Sequence, residues 1–196
     1  MSIIKLYHGS SSIIEKPEYG KGNIHNDYGL GFYCTKDVEL AREWACTSLQ
    51  GGYCNSYTLD TSNLRILDLD AVEYGILSWL TLLTCNRTFN ISSSILEDNK
   101  EYLTDFFMPN IVGYDVIQGY RADDSYFTFA MDFLSNTISL NQLKRSMYLE
   151  NLGIQIVLVN EKAFDTIEYL ESEVIDGKEY FTKELIEIKI YENSTL

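Results

Sequence analysis

Three side chains, His8, Tyr33 and Gln155, occupy positions where they could bind a ligand or take part in catalysis. His8 ends the apolar run IIKLYH and precedes Gly9, so an imidazole adjoins a backbone that a ligand can approach closely. Tyr33 ends the glycine-rich turn GLGFY, and Trp44 follows eleven positions later on a predicted helix. Gln155 lies inside the apolar run GIQIVLV, where an amide without partners costs a few kcal/mol.

The order and spacing of these residues resemble the ADP-ribosyltransferases of the His-Tyr-Glu type, which include poly(ADP-ribose) polymerases and diphtheria toxin. The matching segments are LYHGS, GLGFYCT with an aromatic residue eleven positions after its tyrosine, and the late apolar strand with a polar residue inside it. Two further segments, YDVIQGYRADDSYF (114–127) and GIQIVLVNEKAF (153–164), resemble a bacterial family, domain of unknown function 3990, which is itself similar to that fold. This second resemblance covers nearly the whole chain.

The resemblance implies a role in NAD binding for five residues. His8 would bond to a ribose hydroxyl of the adenosine half of NAD, and the Gly9 backbone would hold the nicotinamide carboxamide, with Ser10 as a second partner for that amide. Tyr33 and Trp44 would enclose the nicotinamide ring between them. The family commonly has a tyrosine where this chain has Trp44, a change that keeps the stacking face and loses the phenol.

The third position of the pattern departs from the family, because Gln155 stands where these enzymes have a glutamate. That glutamate orients a hydroxyl of the nicotinamide ribose and favours the positive charge that develops as the glycosidic bond breaks. An amide supplies the hydrogen bond without the anion, so the predicted chemistry is slower, limited to a single transfer, or absent. On this basis Gln155→Glu would raise turnover, provided that its carboxylate stayed ionised.

A carboxylate could also come from the segment RADDS, which follows a predicted strand. Arg121 is suited to bidentate contacts with the NAD pyrophosphate, and Asp123 to the ribose or the acceptor. The alternatives for this segment are structural. Asp124 or Ser125 could cap the next helix, and an exposed pair of Arg121 with Asp123 would contribute little.

The function implied by the resemblance is transfer of a single ADP-ribose from NAD, as cosubstrate, to a macromolecule, with release of nicotinamide. The favoured acceptor is a protein, and the chain would be the toxin of a bacterial toxin–antitoxin or defence system, with a small antitoxin as partner. The alternatives are a catalytically inactive module that binds NAD or ADP-ribose, and an NAD glycohydrolase that uses water as the acceptor.

The composition is that of a globular chain, with 196 residues, 45% of them hydrophobic, and no apolar run long enough to span a bilayer. The 15 basic and 29 acidic side chains give a net charge of −14, which opposes nonspecific binding to nucleic acid. Two histidines and four cysteines without a zinc-binding spacing predict no metal site. The first residues lack the features of a secretion signal, so we expect a cytoplasmic location.

The pattern of apolar residues predicts an α+β fold with a mostly antiparallel sheet, in one domain over residues 1–196. The resemblance narrows this to an ADP-ribosyltransferase-like fold, in which two packed, mostly antiparallel sheets are flanked by helices around an NAD cleft. The predicted strands are 3–8, 31–35, 53–59, 64–69, 114–120 and 153–159. The third and fourth are predicted to pair through the turn at 61–63. Short strands and charged residues are predicted in the tail 173–191. The predicted helices are 38–49 with Asp37 as N-cap, 71–85, 94–107, 125–134, 161–170 and the segment that follows a capping box of Ser139 with Gln142.

Overall fold

The computed structural model describes residues 2–46, 49–71, 73–89, 94–122, 124–149 and 153–180. Its helices and strands make the fold α+β, as predicted. In chain order the elements are β1 (Ile3–Ser10), β2 (Phe32–Cys34), α1 (Val38–Ala45), β3 (Gly52–Asp60), β4 (Ile66–Asp68), α2 (Gly75–Asn86), α3 (Ser94–Phe107), β5 (Val116–Tyr120), α4 (Asp124–Leu134), α5 (Leu140–Leu149), β6 (Ile154–Leu158), α6 (Glu161–Phe164) and β7 (Ile167–Ile175).

The chain divides into two compact units. The first consists of Met1–Pro17, Tyr33–Asn63 and Phe164–Leu196, and the second of Glu18–Phe32 and Leu64–Ala163. Each unit is therefore assembled from segments that are distant in sequence. The single domain over residues 1–196 and the ADP-ribosyltransferase-like arrangement stay predictions.

The first unit is built on a three-stranded antiparallel sheet with the strand order β1-β3-β7. α1 packs against β1 and β3, and its N-terminus is capped as predicted, because the Asp37 carboxylate accepts from the backbone N of Glu39 at 2.9 Å. The helix ends at Ala45, four residues before the predicted end. One hydrophobic cluster in this unit consists of the buried residues Ala41, Ala45, Cys46, Cys54 and Ile175.

The second unit contains β4, β5 and β6 of a four-stranded sheet with the order β2-β6-β5-β4. β5 pairs antiparallel with β6 and parallel with β4. α2 is buried along most of its length, and its fully buried Trp79 donates from the indole nitrogen to the Tyr120 carbonyl at 2.9 Å. Within the described ranges, every helix is too short or too polar to span a bilayer.

The predicted capping box before α5 is confirmed. The backbone N of Ser139 donates to Gln142 Oε1 at 2.8 Å, and the backbone N of Gln142 donates to Ser139 Oγ at 3.3 Å. These reciprocal bonds satisfy two amides that have no acceptor within the helix. α3 likewise has its predicted bounds, 94–107.

The predicted pairing of the strands at 53–59 and 64–69 is wrong. β3 pairs with β1 and β7, whereas β4 pairs with β5. Two hydrogen bonds fix the turn between them. The backbone N of Thr61 donates to the Ser2 carbonyl at 2.9 Å, and the backbone N of Arg65 donates to Asp115 Oδ2 at 2.8 Å. The chain therefore leaves the first sheet at this turn and does not fold back on it.

The predicted helix 161–170 is correct only in its first part. α6 ends at Phe164, and β7 begins at Ile167. The ring of Tyr169 meets that of Tyr57 on β3 edge to face, with centroids 5.9 Å apart. Pairing with a neighbouring strand thus overrides the local helical pattern. In the tail 173–191, where short strands are predicted, residues 173–175 belong to β7, residues 177–180 are helical, and residues 181–191 lie outside the described part of the chain.

Candidate functional site

His8 lies near the end of β1 and bonds to the backbone of another predicted site residue. Its Nδ1 is 2.7 Å from the carbonyl oxygen of Tyr33. Since a carbonyl oxygen only accepts, Nδ1 carries the proton, and Nε2 is the acceptor nitrogen of the neutral ring. Burial lowers the pKa of His8 from its usual 6.5, and the bond to Tyr33 opposes this shift more weakly. At neutral pH the ring is therefore neutral, the form in which Nε2 is a hydrogen-bond acceptor.

Gly9 is required by the packing of α1 on β1. A Cβ atom at this position would overlap the backbone carbonyl of Ala41 and lie 2.8 Å from Trp44 Cβ. The glycine therefore allows α1 to bring the half-buried Trp44 next to the end of the first strand. This packing is a sufficient reason for a glycine here, whether or not its backbone also holds a ligand.

Ser10, at the end of β1, has a hydroxyl that is engaged within the protein. Its Oγ donates to the Ser12 carbonyl at 2.6 Å and accepts from the side-chain amide of Asn55 at 3.0 Å. Asn55 is fully buried on β3 and also accepts from Ile14 N at 3.2 Å and Ser172 Oγ at 2.7 Å. Asn55, which was not among the residues predicted from the sequence, fixes the segment after β1 and thereby the position of Ser10.

Gln155 is buried on β6 and bonds to a carboxylate that was not among the residues predicted from the sequence. Its Nε2 donates to Asp27 Oδ2 at 2.7 Å. The same oxygen accepts from Ala122 N at 2.9 Å, and Asp27 Oδ1 accepts from Arg87 Nε at 2.7 Å. The exposed fraction is 4% for both Asp27 and Gln155, so this is a buried network in which Arg87 balances the charge. We call Asp27, Arg87, Ala122 and Gln155 the Asp27 cluster.

Asp27 lies in GKGNIHNDYG, which looks like an exposed loop in the sequence. Residues 18–25 are exposed, whereas Asp27, Tyr28 and Gly29 are buried. Tyr28 anchors the turn by donating from its hydroxyl to the Tyr120 carbonyl at 2.6 Å, and Gly29 has a φ of 77°. The loop therefore turns inward at Asp27, although its composition is that of an exposed segment.

Arg121 follows β5, and its backbone N donates to the Gly153 carbonyl at 3.3 Å. Its side chain is half-buried. Asp123 lies outside the residues that the structure describes, and Asp124 is the first residue of α4. The roles predicted for Arg121 and Asp123 therefore stay predictions.

The predicted site residues belong to different units of the chain. Arg121 and Gln155 are in the second unit. Across the ranges that the structure describes, no group of three or more His, Cys, Asp or Glu side chains could hold a metal ion. The backbone bond of His8 and the packing of α1 bring together the residues of the first unit, which are His8, Gly9, Ser10, Tyr33 and Trp44.

Residues 4–169 match the family described as protein of unknown function (DUF3990). The chain belongs to this family. The matched range contains every predicted site residue and all of the Asp27 cluster. Comparison with the curated proteins and with the solved structures found no match. The resemblance to DUF3990 is thus confirmed, and an ADP-ribosyltransferase fold for this DUF3990 protein stays a prediction.

Acid is expected to destabilise this DUF3990 protein through His8. Because its pKa is lowered in the folded state, the unfolded chain binds the proton more readily. The contribution to stability is therefore complete above the unfolded pKa of about 6.5 and is lost as the pH falls toward the folded pKa. We expect the free energy of unfolding to fall more between about pH 7.5 and pH 5 in the parent than in His8→Asn, measured by urea denaturation.

His8→Asn is the matched comparison, because its amide can still donate to the Tyr33 carbonyl and does not titrate. The carboxylates titrate in both proteins, so their contribution cancels in the difference between the two slopes. Equal slopes would show that the folded state does not disfavour the charged imidazole.

Proposed function

We propose that this DUF3990 chain is an NAD-dependent mono-ADP-ribosyltransferase that modifies a macromolecule. The observation that carries the proposal is the bond from His8 Nδ1 to the Tyr33 carbonyl, which joins the first two residues of the His-Tyr-Glu pattern. In this proposal Nε2 of His8 accepts from a ribose hydroxyl of the adenosine half, and the Gly9 backbone holds the nicotinamide carboxamide. Tyr33 and Trp44, both half-buried, offer the flat faces that a nicotinamide ring needs.

The proposed reaction breaks the bond between C1′ of the ribose and the nicotinamide nitrogen. The electron pair of that bond goes to the pyridinium nitrogen, and nicotinamide leaves as a neutral molecule. A lone pair of the acceptor forms the new bond to C1′, and the acceptor loses a proton to solvent. Positive charge develops on the ribose before the new bond forms, so orientation of the ribose by Gln155 lowers the barrier.

The macromolecular acceptor is proposed to be a protein, since a net charge of −14 opposes the approach of nucleic acid. The resemblance extends the proposal to a toxin of a toxin–antitoxin or defence system that acts in the cytoplasm and is held inactive by a small partner. The chemistry requires NAD as cosubstrate and no metal, because the bond that breaks already carries a cationic leaving group.

A second candidate function is a module that binds NAD or ADP-ribose without turnover. The observation that favours it is the uncharged Gln155, whose amide is hydrogen-bonded within a cluster in which Arg87 balances Asp27. Such a site orients a hydroxyl and offers little net negative charge to the ribose. Hydrolysis of NAD with water as acceptor would use the same residues.

The test is the release of nicotinamide from NAD by the purified chain, with and without bacterial lysate, together with transfer of label from adenine-labelled NAD to protein. We expect release to be faster with lysate. Gln155→Ala should lower the rate about 5- to 150-fold, which corresponds to the roughly 1–3 kcal/mol of a lost buried hydrogen bond.

Gln118→Ala is the matched control, because Gln118 lies on the neighbouring strand and bonds to a different carboxylate, Asp68, at 3.2 Å. Its rate should equal that of the parent. NAD binding without release would favour the binding module, release unaffected by lysate would favour hydrolysis, and a chain that does not bind NAD would overturn the proposal.

A further inference from the structure

The Asp27 cluster determines which end of the Gln155 amide can serve a ligand. An ionised carboxylate only accepts, so the NH₂ group of Gln155 faces Asp27 Oδ2, at 2.7 Å. The two polar atoms of an amide diverge from one carbon, and Oε1 is therefore turned away from Asp27. Among the described residues nothing donates to Oε1, so this is the end of the amide to which a ligand hydroxyl could donate.

Three donors converge on the Asp27 carboxylate and give it a fixed position. They are Arg87 Nε, Ala122 N and Gln155 Nε2, at 2.7, 2.9 and 2.7 Å. Each contact requires Asp27 to accept, and the side chain of Arg87 supplies the opposite charge. The carboxylate thus has no freedom to turn and release the amide, so the orientation of Gln155 is as fixed as that of Asp27.

We propose that Asp27 is a positioning residue, which holds the Gln155 amide so that Oε1 selects a ligand hydroxyl that donates a hydrogen bond. A glutamine alone could bind in either of two orientations that differ by exchange of NH₂ and O, and Asp27 removes that freedom. The bond to the carboxylate also polarises the amide and strengthens Oε1 as an acceptor. The identity of the hydroxyl, that of the nicotinamide ribose, rests on the proposed function, whereas the orientation of the amide does not.

The cluster changes the expected result of Gln155→Glu. This substitution alone would place a second carboxylate about 2.7 Å from Asp27 Oδ2, and two carboxylates that close do not both ionise. The anion expected from the sequence would therefore not be gained. The double substitution Asp27→Asn with Gln155→Glu exchanges the amide and the carboxylate, so it keeps one hydrogen bond between them and the net charge of the pair. It also places the NH₂ group of the new amide at position 27 opposite the Ala122 N–H. Two donors then face each other, which lowers the free energy of unfolding.

The first experiment compares the affinity for NAD with that for the NAD analogue that lacks the 2′-hydroxyl of the nicotinamide ribose, by calorimetry. In the parent we expect NAD to bind about tenfold more tightly, the effect of one hydrogen bond. In Asp27→Asn this ratio should fall toward one while the affinity for the analogue is unchanged. The double substitution should restore the ratio, because the carboxylate accepts from the hydroxyl.

Asp68→Asn is the matched control, because it alters the bond of Gln118 to Asp68, a pair of the same chemical type in the same unit. Its ratio should equal that of the parent. If the role of Asp27 were purely structural, Asp27→Asn would weaken the affinity for NAD and the affinity for the analogue by the same factor. The same ratio in Asp27→Asn as in the parent would overturn the inference and leave the proposed function intact.

The second experiment needs no ligand and no variant of Asp27. In the ¹⁵N spectrum of the parent, the side-chain NH₂ of Gln155 is identified as the signal absent from Gln155→Met. We expect its protons to exchange with solvent about tenfold more slowly than those of an exposed glutamine. Fast exchange would overturn the inference. Slow exchange in a parent that binds neither nucleotide would support the orientation and overturn the proposed function.

Discussion

Replacing Asp27 by alanine is expected to lower the free energy of unfolding by about 3–5 kcal/mol, the usual cost of removing one partner from a buried ion pair. The side chains of Asp27 and Arg87 are 5% and 23% exposed, so little water can replace the lost carboxylate. Ala122 N and Gln155 Nε2 would lose their acceptor as well. Urea or thermal denaturation of Asp27→Ala measures the effect.

Glu18→Ala is the matched control for this substitution. Glu18 lies in the same loop and pairs with Lys21 at 2.9 Å, but the two side chains are 58% and 72% exposed. An exposed pair contributes about 0–1 kcal/mol, so this variant should unfold nearly like the parent. A loss in Asp27→Ala no larger than in Glu18→Ala would mean that the cluster does not stabilise the second unit.

The substitution of both Tyr33 and Trp44 by alanine is expected to weaken NAD binding at least about 30-fold. Stacking of a heteroaromatic base on an aromatic side chain contributes roughly 1–3 kcal/mol, and both proposed faces would be removed. His8 should be little affected, because it bonds to the backbone carbonyl of Tyr33 and not to the ring. Calorimetric titration with NAD measures the change.

Two exposed aromatic residues of α3 provide the control for general effects of losing aromatic surface. Tyr102 and Phe106 are 55% and 68% exposed, with ring centroids 4.7 Å apart. The double variant Tyr102→Ala with Phe106→Ala should bind NAD as the parent does. An unchanged affinity for NAD in the double variant Tyr33→Ala with Trp44→Ala would contradict the proposal that these two rings enclose the nicotinamide.

Features that depend on neighbouring residues were predictable from the sequence. The cap at Asp37 and the box of Ser139 with Gln142 involve groups two or three positions apart, and both are present. The physical reason is that helix termini leave amides without acceptors within the helix, and only a few side chains can satisfy them. The residue types alone then fix the local structure.

Strand pairing was not predictable in the same way. The partner of β4 is β5, fifty residues further along the chain, and the partner of β7 is β3, more than a hundred residues before it. Alternation of side chains indicates which face of a strand is buried, but it carries no information about which other strand covers its edge. Two predictions were wrong, the hairpin of the strands at 53–59 and 64–69 and the helix 161–170. Both assumed structure formed by neighbouring residues, whereas the observed strands pair with segments far away in the sequence.

In the candidate site too, local features were predictable from the sequence and long-range contacts were not. His8, Gly9, Tyr33 and Trp44 were selected from their residue types and spacing, but their contacts were not. For Gln155 the sequence indicated only that a buried amide needs partners. The partner, Asp27, lies in a loop whose composition is that of an exposed segment, so no local pattern pointed to it.

The residues bonded to the Asp27 carboxylate lie 60, 95 and 128 positions further along the chain. Contacts over such separations cost loop-closure entropy and form only after the intervening segments have ordered. We therefore expect the cluster to be completed late in folding and its stabilising energy to be largely absent from the transition state. Interactions that form after the transition state act mainly on the rate of unfolding, so we expect Asp27→Ala to shorten the lifetime of the native state more than it slows folding.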